Sequence, residues 1–352
     1  MHDAERFPAW GDASDLVDLL AVRPDGERRW VSVTRPGGRR AVVEGSQMLG
    51  QAIVAAGRLR PGRRVVSGHM LFLRAATVAL PLRFNLEPQA DGRTFTGLVV
   101  HVDQAPAGAE VDTGDHRTTD NRTGSDPDTD TDTDIDIDTD PDTDIDTDTD
   151  TYSGGGTTAR PGGADRRCAT GVLLLDAGAQ DVIRHTVAPP DVGVPEDSQP
   201  LDMGVTGRDI RVVDGAYTDD PDAPVGPPVV DAWVRFRSVP DDPPVHAGLL
   251  AQFTGHMAIA AALRPHPGIG QADAHRTLST AVNAVGIALH RPVRVDRWLL
   301  YHHHSTFAGD GMTHAECRVH DEDGELVASF TVDAMVRRFP GDRRVGDDRT
   351  AL

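Results

Sequence analysis

The stretch VVDAWVRFRSVPDDPPVHAGLLAQFTGHMAIAAALRP, Val229 to Pro265, decides the fold. Its first eleven residues, Val229 to Val239, are rich in β-branched and aromatic side chains and predict a strand. After a Pro/Asp turn, the run from Gly248 to Pro265 carries Leu249, Leu250, Phe253, Met257, Ile259, Leu263 and several alanines. A helix that is apolar nearly all round is a buried one. One strand feeding one buried helix calls for a sheet that wraps it.

The residues that follow supply that sheet. Strand-like runs start at Thr277 (TLSTAVNAVGIALHRP), Arg297 (RWLLYHHHSTF) and Met312, and the last is divided by Asp323-Gly324. An Asp-Gly pair between alternating runs is a hairpin signal. Upstream, the order repeats. A helix-like run covers Glu44 to Gly57, followed by strand-like runs from Val65, Leu80, Gly92 and Cys168, with Asp91-Gly92 at a comparable turn. The expectation is an α+β two-layer protein in two halves, each an antiparallel sheet wrapping a long central helix.

Between the runs lie segments that cannot build a core. Asp occupies every second position from Asp126 to Asp150, thirteen carboxylates in an Asp/Thr repeat. Self-repulsion and low hydrophobicity predict a disordered insertion over 107–165. No glycine-bearing calcium loop accompanies these carboxylates. The Pro/Asp/Gly-rich stretch 187–228 reads as a linker. The expected domains are therefore 1–186, 229–340, and a flexible tail over 341–352.

Of the net charge of −20, most resides in the Asp repeat. The remaining body is mildly acidic with scattered arginines, which argues against nucleic acid as a partner and against an anionic membrane surface. No apolar run approaches the roughly 20 residues needed to span a bilayer, and no basic-then-apolar leader opens the chain. Cys168 and Cys317 lie far apart in strand-like runs, as expected of buried reduced thiols in a cytoplasmic protein. They make no zinc site. His302 and His304 would share a strand face, but two ligands are too few for a metal, and no cofactor is expected. There is no Gly-x-Ser-x-Gly elbow and no phosphate-binding loop.

The second half resembles the C-terminal hotdog of the acyl-CoA thioesterase II (TesB-like) family. The shared residues are Trp233-Val234-Arg235, Ser238 to Asp242, Val245-His246, Leu263 to His266, His290-Arg291-Pro292, Trp298 to Tyr301, Ser305-Thr306 and Asp323 to Ser329. In the first half they are Gly45-Ser46-Gln47, Gly50-Gln51-Ala52, Phe72-Leu73-Arg74 and Asp91-Gly92 before Phe95. The resemblance implies a double hotdog, an acyl-CoA ligand, and room for a further homo-oligomer. It also implies a water-activating Asp, Thr and Gln. Those positions fall on Gly255, Val282 and Val332, and a neighbouring family Asp-His pair falls on Ala284-Val285. None of these side chains can accept a proton.

Substitutes lie nearby in the sequence. Gln252 is three residues before Gly255, hence on its helix face, and His256 adjoins it; a histidine base titrates near neutrality. Glu44 precedes the first central helix, whose opening N–H groups at Gly45 and Ser46 suit a thioester carbonyl. Glu44 would otherwise cap that helix, and His256 would otherwise be a satisfied core residue. Asp333 is expected to face away from Val332 and pair with Arg337, and Asn283 to face away from Val282. Three functions follow: a thioesterase with a rearranged site, a non-hydrolytic acyl-CoA or acyl-chain binder, and an acyl-thioester hydratase. For the binder, Gly255, Val282 and Val332 would line an apolar pocket with Gly45 and Ser46.

Overall fold

The two sheets expected from the sequence are joined edge to edge. In a computed structural model, residues 14–33, 42–105, 165–218, 220, 222–274 and 276–339 are described. The first half contributes α1 (Asp15–Leu19), β1 (Val22–Pro24), β2 (Arg29–Ser32), α2 (Gly45–Leu59), β3 (Arg64–Phe72), β4 (Leu82–Asp91), β5 (Phe95–Gln104) and β6 (Arg166–Asp176). The second contributes β7 (Gln199–Pro200), β8 (Arg208–Val212), β9 (Val229–Phe236), α3 (Pro243–Phe253), α4 (Ala258–Leu263), β10 (Leu278–Leu289), β11 (Leu299–Gly309), β12 (Met312–Asp321) and β13 (Leu326–Arg338). Among the described residues, the strands form one sheet in the order β1-β2-β4-β5-β6-β3-β10-β13-β12-β11-β9-β8-β7. The join is β3 against β10, antiparallel, with Val285 opposite Met70 and Ile287 opposite Gly68. Pairing there satisfies backbone groups that each half alone would leave on an open edge.

Both hairpin turns lie where the Asp-Gly pairs place them. Gly92 N–H donates to the Phe95 carbonyl, and Gly324 N–H to that of Asp321. Gly324 has φ of 78°, a conformation glycine adopts without strain.

The helix expected over Gly248–Pro265 is two helices, and it begins earlier, at Pro243. The break follows from Thr254. Its backbone N–H and its Oγ1 both donate to the Ala251 carbonyl, at 3.2 and 2.7 Å, which takes that carbonyl out of the regular ladder. Gly255 and His256 form the turn before α4.

Helices α2 and α3 pack antiparallel. Ser46 lies against Gly255, Gly50 against Gly248, and Gly57 against Pro244. The two central glycines let the backbones meet, because a Cβ on Gly50 would stand 2.6 Å from the Gly248 carbonyl oxygen. Helix α2 is buried along most of its length and faces the first half's strands, while α4 faces β9, β11, β12 and β13.

The segment read as a linker is partly built into the sheet. Strand β8 pairs with β9, Arg208 opposite Phe236 and Val212 opposite Ala232. On the outer face Val213, Trp233, Trp298 and Leu300 form a small second cluster, with Val192 packed on it. The insertion predicted over 107–165, apart from Asp165, and the tail over 341–352 lie outside the described residues.

Asp333 faces away from the core as expected but does not pair with Arg337. Its carboxylate accepts from His314 Nδ1 at 2.6 Å, because His314 is its direct cross-strand neighbour. Arg337 lies instead over Gly311.

Cys168 and Cys317 are buried free thiols, and burial pushes both pKa values up. The native protein is expected to leave a thiol-reactive disulfide reagent unconsumed, with both thiols reacting once the chain is denatured. Fast reaction of either thiol in the native protein would contradict this burial.

His303 lies wholly in the core between Tyr301 and Phe330, and burial lowers its pKa to about 4. The unfolded chain binds that proton at about pH 6.5. The folded state therefore stays neutral where the unfolded state is protonated. Stability is full above the unfolded pKa and falls as pH drops towards 4, by about 3 kcal/mol for this group. His246, His290 and His320 are shifted the same way, chiefly by burial. Denaturant midpoints taken from pH 7.5 to 4.5 should fall steadily, and less steeply in His303→Phe. An unchanged slope in that variant would reject the assignment to His303.

Candidate active site

Helix α2 starts where its sequence suggests, with Glu44 in the N-cap position at φ −66° and ψ 139°. Its carboxylate makes no capping bond to the helix. The side chain turns across the α2–α3 contact instead. Gln252 Nε2 donates to Glu44 Oε2 at 3.1 Å, and His256 Nε2 stands 3.6 Å from the same oxygen. The structure thus brings Glu44 beside Gln252 and His256, which lie about 200 positions further along the chain. The Glu44 side chain is 22% exposed and that of His256 is 4% exposed.

Gly255, next to His256 in the chain, packs near Ser46 and Val282, and neither Gly255 nor Val282 brings a polar side chain. A Cβ on Gly255 would lie 3.1 Å from Ser46 Oγ and 3.9 Å from a Val282 methyl. Gly255, Ser46 and Val282 therefore meet. Val332 is on β13, buried, opposite Val285 and two residues from Ala334, the cross-strand partner of Val282. Strand β10 bulges between Val282 and Ala284, which takes Asn283 out of the pairing register. Strand β3 pairs only from Ala284 onward, so Val282 lies just past the end of the join. Gly45 abuts the ring of Phe72, the last residue of β3, with no space for a Cβ.

An aromatic stack supports the cluster. His256 stacks on Phe253 at 4.8 Å between centroids, and Phe253 meets the edge of Tyr301 at 4.9 Å. Tyr301 is fully buried, its hydroxyl donates to the Leu250 carbonyl at 3.1 Å, and burial raises its pKa. It is a structural support for α3 and too hard to ionise to act as a base.

One residue at the site was not anticipated from sequence. Arg208, on β8, donates through Nη1 to Gln252 Oε1 at 3.2 Å. It lies in the stretch whose prolines, aspartates and glycines suggested only a linker. The signal present was the alternation Arg208-Asp209-Ile210-Arg211-Val212, a short strand.

The histidine run does not converge on a metal. His302 donates to Asp231 at 2.7 Å on the outer face, His303 points into the core, and His304 is exposed. Among the described residues no group of three or more His, Cys, Asp or Glu is placed to hold a metal ion. None of the helices described is long and apolar enough to cross a membrane.

Residues 186–336 match the family model of the acyl-CoA thioesterase C-terminal domain. The second half of the chain is similar to that domain. Its fold is that of solved thioesterase II structures. Similarity to the tesB protein of Mycobacterium avium subsp. paratuberculosis covers 93% of this chain and 100% of that one, at 18% identity and a TM-score of 0.62. For acyl-CoA thioesterase II TesB2 from Mycobacterium marinum the values are 93%, 99%, 21% and 0.63. A hot dog fold protein from Alicyclobacillus acidocaldarius matches over 93% of this chain and 99% of its own, at 13% identity and a TM-score of 0.61. The double hotdog expected from the sequence is borne out. The match to the thioesterase domain model begins at residue 186, so it takes in the stretch that carries β7 and β8.

Proposed function

We propose that this protein hydrolyses an acyl-CoA thioester to the free acid and CoA, with Glu44 as the base. One observation carries the reading. The Glu44 carboxylate forgoes its capping role and points at Gln252 and His256, beside the Gly255 position where the family carboxylate would stand. The base then comes from α2 instead of from the facing helix.

In this mechanism Glu44 takes a proton from a water whose oxygen bonds to the thioester carbon. The carbonyl electron pair moves onto oxygen, where first-turn N–H groups at Gly45 and Ser46 stabilise it. The pair returns as the carbon–sulfur bond breaks. The proton passes from Glu44 through His256 to the departing thiolate. Gln252 holds Glu44 in place, and Val282 and Val332 line the apolar side.

The test is thiol release from a chain-length panel of acyl-CoAs by the wild type and by Glu44→Gln and His256→Ala. Turnover lost in both variants supports the proposal. Saturable binding without thiol release would instead support a non-hydrolytic binder, the reading favoured by apolar residues at the three family positions. Hydration of an enoyl-CoA with no thiol release would favour a hydratase, which the closeness of Glu44 and His256 also suits. A cytoplasmic location fits the two buried free thiols. Assembly into a homo-oligomer is testable by light scattering.

A further inference from the structure

We propose that Arg208 is a positioning residue that fixes the amide of Gln252 and, through it, the carboxylate of Glu44; this rests on the reading of Glu44 as the base. A glutamine amide has two faces, an accepting oxygen and a donating nitrogen, which exchange places when the group rotates by half a turn. A guanidinium only donates. With Arg208 Nη1 at 3.2 Å, the atom facing it must be Oε1. Nε2 is then the atom that faces Glu44, at 3.1 Å. The reversed amide would set donor against donor at Arg208 and acceptor against acceptor at Glu44. Arg208 thus selects one of two rotamers, and that rotamer is the one that holds a carboxylate.

Arg208 is itself held firmly. It is 7% exposed, its Cζ lies 5.0 Å over the Phe253 ring, and Nη2 is 3.7 Å from Met203 Sδ. Phe253 is the same ring that His256 stacks on, so one aromatic side chain supports both ends of the cluster. Burying a guanidinium carries a large desolvation cost. A methionine would fill the same space beside Phe253 without that cost.

The experiment is a double-mutant cycle in the full-length protein, with Arg208→Met, Gln252→Met and the pair, reading kcat and KM for acyl-CoA hydrolysis. Arg208→Met is expected to lower kcat by about 30- to 100-fold, the penalty for a displaced catalytic group, with KM within about threefold of wild type. In the Gln252→Met background the same change should add less than about threefold, because Arg208 acts through Gln252. Multiplicative losses, or an Arg208→Met kcat within about threefold of wild type, would overturn the proposal. A second readout needs no activity. The Gln252 side-chain amide, assigned by its loss in Gln252→Met, should give two resolved, slowly exchanging proton signals in the wild type. Freely exchanging protons there would also overturn it, even if Arg208→Met fails to fold. Failure of the base reading looks different: Glu44→Gln keeps wild-type turnover while the Gln252 amide remains ordered.

Discussion

Glu44→Gln should lower kcat for acyl-CoA hydrolysis by about a thousandfold, within the range expected when a general base is removed. The substitution keeps the length and shape of the side chain and removes only the carboxylate. Its contacts to the second half change directly. The Gln252 amide no longer faces an anion at 3.1 Å, and His256 loses the charge 3.6 Å from its Nε2. No helix cap is lost, because the Glu44 side chain makes no capping bond to α2. Thermal melting beside thiol-release kinetics separates the two effects. A variant that melts like wild type and turns over within about tenfold of it would remove Glu44 from the mechanism. His256→Ala in the same assay tests whether the second half's contribution is chemical. If only Glu44 matters, the thiolate takes its proton directly from that carboxyl.

Gly50→Val is expected to destabilise the fold by at least about 3 kcal/mol, at or beyond the upper end of ordinary overpacking. The reason is what the new Cβ would meet. At 2.6 Å stands the Gly248 carbonyl oxygen, a backbone atom that moves only if α3 moves, and at 3.0 Å a methyl of Leu20. The reverse change, Gly248→Val, meets Val54 at 2.8 Å and the Gly50 oxygen at 2.9 Å. Either substitution separates the two helices whose contact brings Glu44 to Gln252, so activity should fall along with stability. Gly97→Ala is the control, since nothing lies within 4 Å of its added Cβ. Denaturant unfolding of the three variants measures the difference. A Gly50→Val protein as stable as Gly97→Ala would mean that the helices do not meet through these glycines.

Much of this was legible one segment at a time. Local periodicity marks a strand or a helix because side-chain direction repeats every 2 or 3.6 residues. That is why β3 to β6, β9 to β13, and α2 appear near their expected places, and why the Asp-Gly turns hold. The break after Phe253 was hidden because Thr254 and Gly255 are tolerated within helices. Only the hydrogen bonds from Thr254 to Ala251 stop the helix there. Strand β8 was hidden by a composition typical of linkers, and Arg208 with it. The Asp333 partner was misjudged because an i+4 neighbour is a helix relationship. On a strand the nearest partner comes from the adjacent strand, here His314.

The site divides in the same way. Glu44, Gln252 and His256 could each be singled out, two of them by their distance from the empty family position at Gly255 and one by its place before a buried helix. Their meeting could not. The sequence by itself determined a double hotdog and two buried helices, and its resemblance led to the expectation that Gly255 stands where the family carries a carboxylate. Only the tertiary structure decided that Glu44 crosses from one half to face the other. The physical reason is that contact between α2 and α3 depends on two glycine backbones touching, a constraint carried by no local pattern, and it is that contact which sets a carboxylate from the first half beside an amide and an imidazole from the second.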